Sequence, residues 1–483
     1  MAAAGRGRKG SGNGATLAAA AALAAMSGAV VLLSRRPELV GPGRSPLVIV
    51  TLLLAGGLAW AFSIRRLERT SPAPSALAVV IVFSLLVSGA QLLSRPVQKA
   101  PVNRQLLDGG VTACGENPYL LSPSEQGRSL SAVGALRAFA TTGGDGGPCL
   151  TGDERWNAIV AGTDQAERRS SYGPLAHYWF AGAVELGGPS IDSLRVSYLV
   201  AELALLVCLA ALLLSVGVSP LMVAVVGWSP LVFLEVFNSA RYEIVPAMMI
   251  TVAGLALVSR RFLLAGLALG LTASAKLPAL ALMPLWLRAV PAGKRVPAAL
   301  AMLVGVALPW IPFYDAVGSF IDEPGAFAVQ WSAGAPLFKA LTDLASVTGL
   351  DGTSSALAAV ALVAMMALAV CALYPLDDDP AAALRGSVLV MIVILLAGPT
   401  AGAWQFVWLL PLVAIEPRAS SLALLVMVPL FHADALFAGG PLEGHRGLLG
   451  LVALAPFAVL AIGELLYRNR SSSRGRMRSA AEA

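Results

Sequence analysis

The sequence predicts an all-α polytopic membrane protein with about 12–14 transmembrane helices and a long extracytoplasmic loop after the third helix. Of its 483 residues, 57% are hydrophobic and only 13% are charged, and the mean hydropathy is +0.75. So few polar residues could not cover a water-exposed globule of this size, which excludes a soluble enzyme. Apolar runs near 20 residues recur, whereas the alternating ten-residue strands of an outer-membrane barrel do not.

Twelve apolar runs have the length and composition of spanning helices. They lie near residues 15–34, 46–63, 76–94, 195–217, 219–237, 239–258, 297–313, 356–374, 386–402, 404–416, 419–431 and 448–467. A further run, 262–287, is too long for one comfortable crossing, and Lys276-Leu277-Pro278 interrupts it. The interruption predicts a pair of short helices or a re-entrant hairpin. Basic segments flank the run on both sides, which favours the hairpin, with both ends in the cytoplasm.

The charge distribution predicts the orientation of the chain. Basic residues in the two tails, 6–9 and 468–478, act as cytoplasmic anchors under the positive-inside rule. The first apolar run follows basic residues, as a signal peptide does, but it has no convincing cleavage site and is expected to be retained. Counting spans then places the loop 95–173, the turn 238–243 and the segment 314–355 outside.

This topology divides the chain into four parts. They are an N-terminal three-helix membrane segment (1–94), an extracytoplasmic loop with juxtamembrane helices (95–194), a polytopic membrane core (195–467) and a basic cytoplasmic tail (468–483). The amphipathic stretch 174–188 is expected to lie flat at the membrane interface.

The loop after the third span carries the first candidate site residues. Asp108 follows Arg104 at the membrane surface, where a carboxylate could act as a general base towards a hydroxyl. An Asp that caps a juxtamembrane helix is an equally open interpretation. The Gly109-Gly110 pair would let a ligand approach the backbone closely, and Asn117-Pro118 predicts a turn.

Four charged residues in or near apolar sequence form a second group. Lys276 is one of only five lysines. A charge in the membrane costs about 2.5–3.5 kcal/mol, which indicates a function or a carboxylate partner, unless the side chain snorkels. Arg241 and Glu243 flank an external turn, where the simplest interpretation is a local ion pair worth under about 1 kcal/mol. Glu235 lies inside an apolar run and is harder to explain as a surface residue.

His177 falls in the interfacial stretch, close to Tyr172 and other aromatic residues. It could hydrogen-bond a phosphate or a sugar, and a residue of the aromatic belt is an equal alternative. Cys114 and Cys149 share the long loop, so an external disulfide and two free thiols both stay open.

The sequence predicts no certain cofactor and leaves a divalent cation open. His432, Asp434 and His445 are too few and too scattered for a zinc site, which needs three or four ligands. The run 377–379 consists of three Asp, but the predicted topology places it in the cytoplasm as a solvated loop.

Six motifs follow one another along the chain. They are the Arg…Asp-Gly…Gly-x-Asn-Pro-Tyr stretch 104–119, Tyr172-Gly173-Pro174, the turn 229–243, the Gly-x-x-x-Gly…Lys helix 265–276, Gln330-Trp331 and the segment 404–411. This ordered set, over roughly residues 100–465, resembles bacterial GT-C glycosyltransferases, mannosyltransferase-like membrane enzymes that use polyprenyl-phosphate sugars. The chain departs from the family pattern at Gly110, at Gly173, at 240–243 and at 401–403.

The resemblance implies an inverting transfer of a hexose, most plausibly mannose, from a polyprenyl-phosphate donor to a lipid or cell-envelope glycan. The reaction would take place at the outer face of a bacterial cytoplasmic membrane. The family's catalytic base corresponds to Asp108. Groups for the donor and its phosphate correspond to Arg104, Tyr172, His177, Arg241 and Lys276, and acceptor or supporting groups to Asn117, Glu235, Glu243 and Trp331. The implied partners are the lipid-linked donor, the lipid or glycan acceptor and membrane lipid, with no nucleic acid.

Two other functions are alternatives. A transporter or flippase of lipid-linked sugars would need polar groups through the membrane centre and inverted repeats, whereas the sequence shows no repeat. A non-catalytic scaffold derived from such an enzyme is favoured by the altered motif residues Gly173, Tyr242 and Glu243.

Overall fold

The structure is a computed structural model, which describes residues 11–36, 45–96, 100–125, 154–163, 166–318, 320, 336–376, 379–399, 402–432 and 450–467. Every regular element in these ranges is helical, as the sequence predicts.

Sixteen main helices make up the described ranges. They are α1 Ser11–Arg35, α2 Ser45–Leu67, α3 Pro74–Ala90, α4 Ala100–Ala113, α5 Glu154–Ala161, α6 Pro174–Gly187, α7 Ile191–Ser215, α8 Ile244–Val258, α9 Phe262–Ala275, α10 Met283–Ala289, α11 Ala292–Ala307, α12 Pro336–Ser346, α13 Gly352–Leu373, α14 Pro380–Ala397, α15 Ala419–Met427 and α16 Gly450–Tyr467. Short helical turns join or extend them at Gln91–Leu93, Pro220–Val223, Ala224–Gly227, Val232–Asn238, Leu277–Leu282, Leu308–Ala316, Ala403–Leu409, Leu410–Val413 and Val428–His432.

Among the described residues, fewer helices have the length and composition of a full membrane crossing than the sequence predicts. Within the described residues, seven helices are long and apolar enough to do so, or eight if the bent pair Pro220–Gly227 and Val232–Asn238 is one span. The apolar helices α8, α9 and α15 are shorter, and that bent pair turns by 61°. The bend falls at Ser229-Pro230, because a proline inside the run has no backbone N–H to donate to the helix. A multi-pass membrane protein is confirmed, although several predicted spans are short or broken.

The interrupted run 262–287 forms a helical hairpin. Helix α9 ends at Ala275, and Lys276 is extended, with φ at −151°. Gly266 in α9 lies against Ala298 in α11, and Gly270 lies against Met302. Since the residue numbers rise together along both helices, α9 and α11 run in the same direction. Two parallel neighbours need a return between them, so the chain from 277 to 289 runs back and Lys276 lies at the hairpin tip. The predicted pair of short helices is confirmed.

The tip lies at one end of the helix bundle, called the site end below. Lys276 forms an ion pair with Glu243, and Glu243 lies just after the turn that begins at Asn238. The amide of Asn238 donates to the carbonyl of Arg95 over 3.1 Å. Arg195, buried at the start of α7, donates to the carbonyl of Asn238 over 2.5 Å. The end of α3, the start of α7 and the turn after 238 are thereby fixed together.

The base of the hairpin lies at the opposite end of the helix bundle. The ammonium of Lys294 lies 5.6 Å from the ring centroid of Phe262, and Arg288 donates to the carbonyl of Tyr374 over 3.2 Å. The predicted topology groups the same segments together, because it places the starts of α9 and α11 and the end of α13 on one side.

The region 174–188 forms α6, an amphipathic helix packed against α4. Ala176, His177, Phe180 and Val184 lie on its buried face, whereas Leu186 is exposed. The predicted amphipathic helix is confirmed, and its orientation relative to a membrane stays a prediction.

The close approach of α9 and α11 predicts that position 270 cannot accommodate a side chain. A Cβ there would lie 2.1 Å from the carbonyl oxygen of Met302, so Gly270→Ala should force the helices apart and destabilise the protein by about 1–3 kcal/mol. Gly293→Ala is the matched control, since it lies in α11 with open space around its Cβ position. Thermal unfolding in detergent measures both variants. Equal midpoints for the two would contradict the close packing.

Candidate active site

Asp108 lies inside α4 and is completely buried. The Nε of Arg104, one turn earlier, lies 3.0 Å and 3.2 Å from its two carboxylate oxygens. Ser170 donates its hydroxyl to Oδ2 over 2.7 Å. The i, i+4 spacing places Arg104 and Asp108 on the same face of the helix, and this face is turned towards the segment around Ser170.

Arg104, which pairs with Asp108, and Arg168, two residues before Ser170, each have a guanidinium nitrogen with an unused donor. Arg104 donates through Nη1 to the carbonyl of Arg168 over 2.7 Å, while its buried Nη2 has no hydrogen-bond partner among the described residues. The buried Nη1 of Arg168 likewise has none in the same ranges. Since a buried charged donor without an acceptor is costly, these groups are suited to an anionic ligand.

Residues 170–173 dock on the hairpin tip. The backbone N–H of Gly173 donates to the carbonyl of Ala275 over 3.3 Å. A Cβ at Gly173 would lie 1.9 Å from the carbonyl oxygen of Ser274. Glycine is therefore needed here for close approach of two backbones. The contact brings Asp108 and Lys276, distant in sequence, into one site.

Lys276 pairs with Glu243 at the hairpin tip. Its Nζ lies 2.5 Å from Oε1 of Glu243, and Trp408 donates its indole N–H to Oε2 over 2.6 Å. The ammonium also lies 5.4 Å from the ring centroids of Tyr172 and Trp408, within the range of a cation–π interaction. A carboxylate partner for Lys276, one of the alternatives that the sequence left open, is confirmed.

Glu235 and Arg241 form a second pair at the site end. Glu235 lies in a π-helical turn, Val232–Asn238, and its Oε2 is 3.3 Å from Nε of Arg241. The guanidinium of Arg241 stacks on the ring of Trp404 at 3.8 Å. The predicted local pair between Arg241 and Glu243 is wrong, because each of them has a different partner.

The turn between the two pairs is strained. Ala240 has a φ of 46°, in the left-handed region that favours glycine. The strained turn directs Arg241 towards Glu235 and leaves Glu243 to Lys276.

His177 lies in a buried cluster of aromatic rings, so a place in an exposed aromatic belt is wrong. Its ring centroid is 4.9 Å from that of Tyr119, whose hydroxyl donates to the carbonyl of Tyr172 over 2.8 Å. Burial lowers the pKa of His177 to about 4, against the opposing effect of the Asp108 charge. Burial, assisted by Glu243, raises the pKa of Tyr172 to about 12. His177 is therefore neutral near pH 7, and Tyr172 keeps its hydroxyl proton.

Asn117 fixes the turn that the sequence predicts. Its amide N–H donates to the carboxylate of Asp315 over 2.9 Å, and its Oδ1 accepts the backbone N–H of Tyr119 over 3.0 Å. The turn is thereby tied to the segment that follows α11. Trp331 and Cys149 lie outside the described residues, so their predicted roles stay predictions. In the described ranges no group of three or more His, Cys, Asp or Glu could hold a metal ion.

Two expectations for α4 are wrong. Asp108 does not cap a helix, because α4 begins at Ala100 and continues past it to Ala113. The glycine pair lies in closely packed structure: a Cβ at Gly109 would lie 2.7 Å from the backbone of Phe180, and one at Gly110 would lie 2.3 Å from Trp156. These glycines let α4 pack tightly on α6 and α5.

Sequence reasoning missed Ser170 as a site residue and included Trp408 only within a longer motif. Ser170 follows the basic residues Arg168 and Arg169, but nothing in the local sequence connects its hydroxyl with Asp108. The bond between Trp408 and Glu243 joins distant segments. Such partners are visible only once the chain is folded.

The helical bundle and this cluster of charges at one end fit an integral-membrane glycosyltransferase of the GT-C type. Residues 172–399 match the family model of glycosyltransferase family 87, a GT-C type membrane family. This match confirms the resemblance to GT-C enzymes and indicates a membrane-bound glycosyltransferase. The match includes Arg241 and Lys276 and begins after Asp108. No curated protein and no solved structure matches the chain.

The docking of residues 170–173 predicts a strong effect at Gly173. Gly173→Ala should displace the segment from the hairpin tip, because its methyl group would collide with the backbone at Ser274. We expect a lower thermal midpoint, equivalent to about 1–3 kcal/mol. Gly182→Ala in α6, whose Cβ position has open space, is the control. A Gly173→Ala protein as stable as this control would contradict the docking.

The buried His177 predicts a dependence of stability on pH. Between pH 6.5 and about 4 the unfolded chain binds a proton at this residue that the folded protein does not. Stability from this group must therefore fall as the pH drops through 6.5 and level off below about 4. His177→Phe keeps an aromatic ring but removes the titrating group. The thermal midpoint of this variant should therefore depend less on pH between pH 6.5 and 4.5. An unchanged slope in the variant would show that His177 is not the group responsible.

Proposed function

We propose that the protein is an inverting glycosyltransferase that moves a hexose, mannose by resemblance, from a polyprenyl-phosphate donor to a lipid or cell-envelope glycan. The site end would face outwards from a bacterial cytoplasmic membrane, with both chain termini in the cytoplasm. The observation that carries the proposal is the buried Asp108 carboxylate paired with Arg104, whose Nη2 has an unused donor. Arg168, whose carbonyl accepts from Arg104, has a second unused donor. The family match supports sugar transfer in general.

In this proposal Asp108 is the catalytic base. It accepts the proton of the acceptor hydroxyl while that oxygen attacks the anomeric carbon from the face opposite the phosphate. The bond between the anomeric carbon and the phosphate oxygen breaks, and its electron pair leaves with the phosphate. A single displacement inverts the configuration. Arg104 and Ser170 hold the carboxylate in one orientation, which reduces the entropy lost on reaching the transition state.

Cations then stabilise the leaving phosphate, on which negative charge develops. The Nη2 of Arg104 and the Nη1 of Arg168 have donors that no described residue uses. Lys276 adds a charge at the hairpin tip, and Tyr172, which keeps its proton, adds a hydroxyl donor. Donors already fixed in a buried site need little reorganisation during the reaction.

The remaining candidates support this arrangement. Glu235 and Glu243 hold Arg241 and Lys276 in place, and the two pairs keep the buried charge balanced before substrate binds. Asn117 holds the turn next to Tyr119, one of the aromatic residues around His177. An acceptor that reaches Asp108 would pass between these groups.

The proposal is tested by transfer from polyprenyl-phosphate-mannose with purified protein. Asp108→Asn removes the base while keeping the shape of the side chain, and should lower the rate by about 10²–10⁴-fold. Asp343→Asn is the matched control, because Asp343 is an exposed carboxylate that pairs with Lys339 and contacts none of the proposed site residues named above. Transfer by Asp108→Asn at the rate of the control would contradict the role of Asp108. No transfer by the wild type with any polyprenyl-phosphate hexose would favour the scaffold.

A further inference from the structure

An apolar groove lies at the opposite end of the bundle, between α2, α15 and α16. Its volume is about 430 Å³, and Arg65 is the one charged residue among the described residues that line it. Arg418, which precedes α15 next to this groove, lies within range of an electrostatic interaction with Tyr374, whose carbonyl accepts from Arg288. The groove therefore belongs to the end that holds the base of the hairpin, away from Asp108 and Lys276.

The groove is a wedge between two helices that touch and then diverge. Gly57 in α2 lies against Val426 in α15, where an added Cβ would be 3.1 Å from the valine side chain. Towards Arg65, one face of α2 supplies Leu58, Ala61 and Phe62, at the i, i+3, i+4 spacing. The opposing positions on α15 include the small residues Ala419 and Ala423. The wedge extends along about 10 Å of helix.

The helices that line this groove are apolar enough to lie in a membrane. Helices α2 and α16 have the length and composition of membrane spans, and α15 is a shorter apolar helix. Leu58 and Phe62 are well exposed on the surface of the chain. An apolar wedge in this setting fits a flexible hydrocarbon chain.

The mouth of the groove is positively charged. Arg65 pairs with Glu68 at 3.0 Å, but both side chains are partly exposed, and such surface pairs are worth under about 1 kcal/mol. Arg66 lies 5.0 Å above the ring of Phe62 and adds a second positive charge beside the same mouth. A phosphate can therefore bind Arg65 even though Arg65 also pairs with Glu68, because weakening that pair costs little free energy.

We propose that this groove binds one anionic phospholipid, with an acyl chain in the wedge and the headgroup phosphate on Arg65. Basic sites between membrane helices favour anionic headgroups over zwitterionic ones. The proposal does not depend on the reaction at the site end.

Native mass spectrometry of the full chain tests this lipid site. The protein is released from nanodiscs of phosphatidylcholine containing phosphatidylglycerol, and retained lipids are counted. The wild type should retain one phosphatidylglycerol in preference to phosphatidylcholine. Ala423→Phe should fill the wedge and reduce retention by about tenfold or more, whereas Arg65→Gln should keep a bound lipid and lose the preference.

Two controls make the outcome decisive. Ala361→Phe adds the same ring on an exposed position of α13, and Arg69→Gln removes a neighbouring arginine outside the groove. Both should retain phosphatidylglycerol as the wild type does, and thermal unfolding checks that Ala423→Phe is folded. Equal retention in Ala423→Phe and Ala361→Phe would overturn the proposal. A dimer mass lost in Ala423→Phe would show instead that a second copy occupies the groove.

Discussion

The candidate site depends on one contact, the docking of residues 170–173 on the tip of the helical hairpin. The two backbones meet at Gly173 and Ala275 with no side chain between them. On one side of this contact, Ser170 holds Asp108, and on the other side Lys276 is held by Glu243. Without the contact, the carboxylate on α4 and the ammonium on the hairpin would belong to separate parts of the chain.

Buried ion pairs explain why such a site stays in place in an apolar protein. A buried pair gives little net stability, but removing one partner leaves a desolvated charge and costs about 3–5 kcal/mol. The pairs Arg104–Asp108, Lys276–Glu243 and Arg241–Glu235 therefore constrain each other's position more than they stabilise the bundle. Their arrangement at one end is suited to a lipid-carried substrate whose reactive phosphate lies at the membrane surface.

Local sequence was sufficient to predict the helical class, the break at Lys276 and the grouping of segments at each end, because hydropathy and charge encode these directly. It was not sufficient for the bend at Pro230, which shortened a predicted span, or for the position of Asp108 inside α4. The partners Ser170 and Trp408 come from distant parts of the chain. Tertiary pairing of this kind has no local signature, and the same is true of Arg241, which the sequence paired with the wrong carboxylate.

The central claim is that Asp108 and the hairpin tip act on one lipid-linked substrate. A cryo-electron microscopy structure with a non-hydrolysable polyprenyl-phosphate sugar tests it most directly. The account predicts the phosphate within hydrogen-bond distance of Arg104 or Arg168 and on the same side as Lys276, with the anomeric carbon facing Asp108. A sugar bound elsewhere in the bundle, with the Asp108 carboxylate still enclosed by Arg104 and Ser170, would contradict it.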